Sequence, residues 1–260
     1  MSDGNFLSDL VKSIKVPADI TKAALEPPAK QIGQGLGDLF YIAFSPIAKA
    51  KIKKEAEISK FKEEIENELI KIPVEQFIEP QLNIVGPALE ASKYYIEDDN
   101  IRVMFAKLIA SSANSSTSDR THTAFVEIIK QLSPMDASSF NFLYKNNGKV
   151  GIVDIRLNLQ NGTGGHTWIK NFIPFPDINY NNHNLYSSTI DNLVRLGLIE
   201  VESGTTFVNK TFYESLNDHP LYKTCEAIIH NSPNETRTLG VSEKFWGMTH
   251  FGINFATCCL

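Results

Sequence analysis

Few side chains in this sequence have the types that chemistry requires, and each also has a structural explanation. The acidic run Glu97-Asp98-Asp99 offers carboxylates to a hard cation. It also stands directly before an apolar helical pattern, where aspartates accept hydrogen bonds from the free N–H groups of a first turn and complement the helix dipole. Capping accounts for the run without a metal. His122 has the ring nitrogen of a general base, yet no Cys or Asp stands at a triad-like or metal-like spacing, and it too falls where a helix begins. Two glycine-rich stretches, Gly33-Gln34-Gly35-Leu36-Gly37 and Gly162-Thr163-Gly164-Gly165-His166, lack the following Lys-Ser/Thr of a phosphate loop. The three cysteines, two of them adjacent at Cys258 and Cys259, give neither a disulfide framework nor a zinc spacing, and read as reduced cytoplasmic thiols. The expectation is a protein with no catalytic residue, no metal and no cofactor, and not an enzyme.

The bulk properties narrow the partners. A chain of 260 residues can bury one large core or two modest ones, and its 42% hydrophobic and 21% charged content is ordinary for a globular protein. A formal net charge of −5 argues against coating nucleic acid by bulk electrostatics. The N-terminus lacks the basic start, apolar run and cleavage site of a secretory signal. No stretch reaches the roughly 18–20 apolar residues that span a bilayer. The nearest, 32–48, carries Asp38 and is cut by Pro46. The expected location is the cytoplasm, with peripheral contact at the inner membrane as the second reading.

The elements that must position these residues are mostly helical. Residues 1–30 read as an amphipathic segment, with Phe6, Leu7, Leu10, Val11 and Ile14 at helical spacing, and a linker broken at Glu26-Pro27-Pro28. Over 32–48, Ile32, Leu36, Leu39, Ala43 and Ile47 fall near one face, and Gly33 and Gly37 stand where backbones can approach closely. The helix either docks on the core or contacts a membrane or partner, the latter through Ile32, Leu36, Leu39, Phe40 and Phe44. Lys51, Lys53 and Lys54 follow directly, and each basic residue near an anionic surface contributes about 1 kcal/mol. A charged helix over 49–71 has Ile52, Ile58, Phe61, Ile65 and Leu69 on one stripe. Three further helical patterns fill 79–136, with Pro80 as a first helical residue, and Ser133-Pro134 reads as the domain boundary.

The C-terminal half changes character. Asp136 is expected to cap a helix closed by Asn147-Gly148, followed by a strand over 150–157 and a long Asn-, Gly- and Pro-rich loop over 158–184. A helix over 185–196, ended by Gly197, leads into Ile199 and Val201 alternating with Glu200 and Glu202. Ser203-Gly204 then turns the chain so that Phe207-Val208 returns as the second strand of a wing. The fold class is therefore mainly α: a helical domain at 31–134, then a smaller winged-helix-like α+β domain at 135–260. Its contact residues would be Ser187, Ser188, Arg195 and Lys210. A near-neutral recognition helix with an acidic wing is a poor reader of phosphates, so protein contact is favoured over DNA. A winged-helix transcriptional regulator remains the alternative.

Several of these residues carry a family resemblance. They include Ile78-Glu79-Pro80, Pro87-Ala88-Leu89-Glu90, Ile96-Glu97-Asp98, Met104-Phe105-Ala106-Lys107-Leu108 and Leu132-Ser133-Pro134-Met135-Asp136-Ala137. Leu196-Gly197-Leu198-Ile199 and Phe251-Gly252 with Phe255 continue the series. In that order, over roughly residues 30 to 260, the chain resembles the bacterial abortive-infection alpha family. The resemblance implies a role in phage defence, in which an infected cell is arrested or killed, and a phage or host protein as partner. It supplies no catalytic residue.

Overall fold

The computed structural model describes residues 14–16, 26–49, 54–160, 162–231 and 237–260. They form ten α-helices and a four-stranded antiparallel sheet, an α+β architecture. The chain divides into two compact units, Met1–Pro134 with Asn254–Leu260, and Met135–Ile253. The last seven residues thus belong with the first unit, whereas the sequence placed all of 135–260 together.

The first unit holds α1 (Glu26–Lys49), α2 (Glu55–Ile70), α3 (Leu82–Ser92), α4 (Asp99–Ser112) and α5 (Ala124–Gln131). Pro27 and Pro28 do not break the chain; they stand in the first turn of α1, where a missing N–H costs no hydrogen bond. The buried face of α1 is Leu36, Phe40, Ala43 and Phe44, rotated from the stripe expected from Ile32, Leu39 and Ile47, which are only half-buried. Phe40 and Phe44 stack at 4.6 Å, and both rings lie within 6.0 Å of Phe61 on α2. Burying each such ring contributes about 1.5–3 kcal/mol. Ile14 and Val16 are buried, and the Ile14 N–H donates to the Gly33 carbonyl at 3.1 Å. A Cβ at Gly33 would stand 2.7 Å from the Ile14 oxygen, so glycine here permits a close backbone approach. The rest of the expected amphipathic segment, residues 1–13, lies outside the described residues.

Ile58, Phe61, Ile65 and Leu69 are buried along α2 as their spacing predicts. Pro80 stands two residues ahead of α3 and is not its first residue; Gln81 takes the N-cap position. Asp98 caps α4, its carboxylate accepting from the Ile101 N–H at 3.0 Å. Among the described residues the most deeply buried charge is Arg102 on α4. Its Nε and Nη2 donate to the two Glu64 oxygens, each at 2.8 Å, Nη1 donates to the Ile96 carbonyl at 2.7 Å, and Nη2 also bonds Asp99. Every face of the fork is used, which a guanidinium needs when taken out of water.

The second unit contains α6 (Pro134–Asn146, of which Met135 onward belongs here), β1 (Ile152–Leu159), β2 (Gly165–Phe172) and α7 (His183–Arg195). It continues with β3 (Ile199–Ser203), α8 (Thr211–Asn217), α9 (Pro220–His230), β4 (Arg237–Met248) and the first turn of α10 (His250–Cys259). The strand order is β2-β1-β4-β3. Three expectations are corrected here. Asp136 lies within the first turn of α6, buried, and accepts from Asn192 Nδ2 at 2.9 Å. The expected long loop contains β2, which pairs with β1 through irregular register around Ile155. The expected wing does not close on Phe207-Val208: β3 pairs with β4, from Ile199 opposite Met248 to Ser203 opposite Lys244, and Val208 is fully exposed. The Phe207 ring packs on Phe245 of β4, 4.9 Å away, so the apolar signal at 207 reflects side-chain packing beside the sheet.

A polar network crosses this sheet. Lys244 of β4 is buried, 2.7 Å from Asp154 of β1, and donates to Asn171 Oδ1 of β2 at 2.8 Å. The Asn171 N–H returns to Asp154 at 2.9 Å, with Asn171 in the left-handed region at φ 55°. Asparagine tolerates that region better than most residues.

Candidate binding groove

An opening of ligand size lies in the first unit, beside α1. One wall is Gln31, Ile32, Gly35, Leu36, Asp38 and Leu39; the other is the segment Phe77, Ile78, Glu79 and Pro80 with Leu82. It encloses about 550 Å³, within the usual range for ligand sites.

The second wall is built from an extended segment pinned to the loop after α4. The Ile78 N–H donates to Ala113 O at 2.9 Å, and Ser115 N–H to Gln76 O at 2.8 Å, around a bridge between Phe77 and Asn114. Gln81 Nε2 adds a bond to Ser118 O at 3.1 Å. The polar loop that follows α4 therefore serves as a backing for this wall. The first wall exists because α1 carries two apolar stripes. One is the core face; the other runs through Ile32, Leu39 and Ile42 at i, i+7 and i+10, with Gly35 at i+3 on the same side. Leu82 on the second wall is 65% exposed, and Ile42, outside the lining, is 67% exposed, so apolar surface continues past the groove itself. A Cβ at Gly35 would meet no atom within 4 Å, and the missing side chain is what opens the floor.

Among the described residues the charges on the lining are of one sign: Asp38 and Glu79 are acidic, Gln31 is neutral, and no Lys or Arg takes part. Among the described residues neither carboxylate has an ion-pair partner. Among the described residues the lining brings together no nucleophile and base, and its chemistry is apolar contact with two negative edges.

The residues singled out from sequence divide three ways. Ile32, Leu36 and Leu39 line the groove. Phe40 and Phe44 are fully buried in the core, as a docking helix requires, and offer no surface to lipid or partner. Lys54 pairs with Glu97 at 3.2 Å, and Lys51 and Lys53 lie outside the described residues. In the second unit, Ser188 donates to Asn184 O at 3.0 Å, and Ser187 to Lys170 O at 2.5 Å. Arg195 donates to Asn192 Oδ1 at 2.7 Å. Lys210 pairs with Glu243, bonds Thr206 at 3.0 Å and sits 5.3 Å from the Tyr213 ring centre. All four are engaged within their own unit.

The other chemical candidates are likewise accounted for. His122 Nδ1 accepts from the Ala124 N–H at 3.0 Å, the capping role. In the acidic run, Asp98 caps, Glu97 meets Lys54, and Asp99 meets Lys60 at 2.8 Å as well as Arg102. Those two cations, Lys60 foremost, hold the Asp99 carboxyl below its ordinary range. Among the described residues no group of three or more His, Cys, Asp or Glu side chains is placed to hold a metal ion. Burial pushes the Cys225 and Cys258 thiols up to about 11, which keeps them protonated and unreactive near neutral pH.

Sequence reading missed Gly35, Asp38, Phe77, Glu79 and Leu82 as a group. The available signal was that α1 is apolar over more than one stripe, wider than a single core face requires.

Neither a curated protein nor a solved structure matches the chain. The family model described as abortive infection alpha matches residues 53–259. The match starts later than the expected residue 30, so it includes the wall at 77–82 and not α1. It covers most of the sequence, and the chain belongs to the abortive infection alpha family.

Proposed function

We propose that this chain is a phage-defence protein of the abortive-infection type that works by recognising a phage or host protein, with the groove beside α1 as its recognition surface. The family supports the defence role. One observation carries the recognition role: an open apolar groove, walled in part by exposed Leu82 and continued by exposed Ile42, in which the described residues form no nucleophile–base pair. Such a surface binds and orients; it does not offer the groups that make or break bonds.

Membrane attachment through the same segment has weaker support. Phe40 and Phe44 are committed to the core, the groove edges are acidic, and carboxylates are repelled by anionic headgroups. Among the described residues no helix is long and apolar enough to cross a membrane.

The test is a phage challenge of cells carrying wild type or Gly35→Leu. Leucine fills the groove floor, and replacing glycine inside a helix does not threaten folding. Protection should be lost while the protein accumulates to wild-type level. Full protection by the Gly35→Leu protein sinks the groove as the recognition surface.

A further inference from the structure

We infer that the groove beside α1 takes an amphipathic helix of a partner protein, one with an apolar face and Lys or Arg at its edges. This rests on the reading of the groove as the recognition surface and adds the chemistry of what enters it.

Three observations carry the inference. First, the apolar floor is elongated along α1. Ile32, Leu39 and Ile42 recur on one side of this helix over nearly three turns, with Gly35 between them leaving a gap one side chain wide. A facing helix presents apolar residues at i, i+3, i+4 and i+7, the repeat that such a row accepts. Second, apolar surface does not stop at the cavity: Ile42, outside the lining, stands two-thirds exposed, and Leu82 on the second wall is as open. A small ligand filling about 550 Å³ would leave Ile42 in water, whereas a helix lying across the groove would cover it. Third, the edges are acidic on both walls. Asp38 lies on α1 and Glu79 on the facing segment, with no cation on the lining and no ion-pair partner for either among the described residues. Basic residues flanking an apolar face meet these carboxylates. An acidic helix or an anionic bilayer is opposed by them.

Charge also speaks against self-occupancy. Residues 1–13 carry the apolar set Phe6, Leu7, Leu10 and Val11, but Lys12 is set against Asp3 and Asp9. The segment has no excess of Lys or Arg to meet the groove's carboxylates.

The experiment uses the full chain and two labelled synthetic peptides, a short Leu/Lys amphipathic helix and its Leu/Glu counterpart, with binding followed by fluorescence anisotropy. The Leu/Lys peptide should bind saturably, one per chain, and the Leu/Glu peptide at least about tenfold more weakly. Gly35→Leu should weaken Leu/Lys binding by at least about tenfold, since the floor is filled. Asp38→Asn with Glu79→Gln should weaken it about two- to five-fold and flatten its dependence on salt.

Equal binding of Leu/Lys peptide to wild type and Gly35→Leu means general attraction to an acidic chain and overturns the inference. So does equal binding of both peptides, which would make the edges irrelevant. Tighter peptide binding after deletion of residues 1–13 assigns the groove to the chain's own N-terminal segment. A dimer in sedimentation that Gly35→Leu dissolves assigns it to a second copy. Flotation with phosphatidylglycerol vesicles, abolished by Gly35→Leu, assigns it to lipid. Each of those three outcomes also overturns the proposed occupant. If neither peptide binds yet Gly35→Leu still abolishes phage protection, the groove reading stands and the basic helix falls. If Gly35→Leu leaves protection intact, the groove reading itself falls.

Discussion

Among the described residues each unit buries one cation, and the two do so differently. In the first, Arg102 joins helices: its fork grips both oxygens of Glu64 on α2, closes on the Ile96 carbonyl before α4, and returns to Asp99 within α4. In the second, Lys244 joins strands with a point charge, to Asp154 on one neighbour and Asn171 beyond it. The difference follows from what each architecture leaves undetermined. Two packed helices can slide and rotate, because nothing in their backbones links them, so a planar fork that fixes direction adds information. Strands β1 and β4 are already held in register by their ladder from Ile152 opposite Lys244 to Leu159 opposite Arg237. There a single ammonium only has to satisfy the carboxylate beneath it.

The sharpest way to break that comparison is Arg102→Ala. Removing one partner of a buried pair leaves Glu64 uncompensated, a loss of about 3–5 kcal/mol in unfolding free energy. Arg102→Lys should recover only part of this, because an ammonium cannot meet both Glu64 oxygens and the Ile96 carbonyl together. Urea unfolding followed by far-ultraviolet circular dichroism measures the loss. Both tryptophans, Trp168 and Trp246, lie in the second unit, so their fluorescence should report a smaller shift in midpoint. An Arg102→Ala protein with an unchanged dichroism midpoint would remove the locking role. Next in size is Lys244→Met, which keeps the aliphatic stem and drops the charge. The stranded Asp154 and Asn171 acceptors should cost about 1–3 kcal/mol, seen this time in the tryptophan signal. Lys244→Met with Asp154→Leu should recover most of it, since replacing both partners by apolar groups is often neutral.

The same contrast explains what was legible in the sequence. Helices of the first unit declared themselves, because Ile58, Phe61, Ile65 and Leu69, or Ile101, Phe105, Leu108 and Ile109, place apolar residues at helical spacing and are in fact buried. Strand β4 did not. Its buried positions are Lys244 and Trp246, while Val241 is 40% exposed, so hydrophobicity points away from the core face over much of its length. Strand β2 hides for a related reason: Asn171 is buried at positive φ and the register against β1 shifts near Ile155, which spoils the period of two. Because β4 has no period-two signal, β3 has no evident partner in the sequence other than the nearest apolar pair, Phe207-Val208. The groove was half legible. Ile32, Leu36 and Leu39 were evident on α1, but the opposite wall depends on contacts between residues 76–78 and 113–115 that no local pattern encodes.

Acid should sharpen the comparison in a graded way. His183 is buried with Nδ1 lacking a hydrogen-bond partner, beside Tyr180. His219, half-buried, accepts from the Leu221 N–H at Nδ1 and packs against Phe172. Burial depresses both values below the ordinary 6.5, so each imidazole resists charging in the folded chain. The sign is fixed by linkage: the unfolded chain takes up protons first, so this stability is complete above pH 6.5 and is lost as pH falls through the folded values. The first unit has one histidine, His122, which is exposed. Between pH 7.5 and 5 the tryptophan-monitored midpoint should therefore fall more than the dichroism-monitored one, and His183→Phe should reduce the gap. A gap that stays constant over this range would assign acid sensitivity elsewhere.

The smallest expected effect on stability is the most telling for function. Gly35→Leu adds a side chain where no atom stands within 4 Å of the new Cβ, and removes a glycine from a helix interior. Helix propensity alone favours leucine by up to about 1 kcal/mol, against a small cost for exposing its apolar surface. The net shift in unfolding free energy should be slightly positive or near zero. Phe40, one turn and a residue further along the same helix, is the internal contrast. It is fully buried in the ring cluster with Phe44 and Phe61, and Phe40→Ala should cost about 3–5 kcal/mol. A helix whose two faces respond this differently has one side committed to folding and the other free for recognition. Were Gly35→Leu as damaging as Phe40→Ala, the open face would be part of the core, and the groove would lose its standing as a surface.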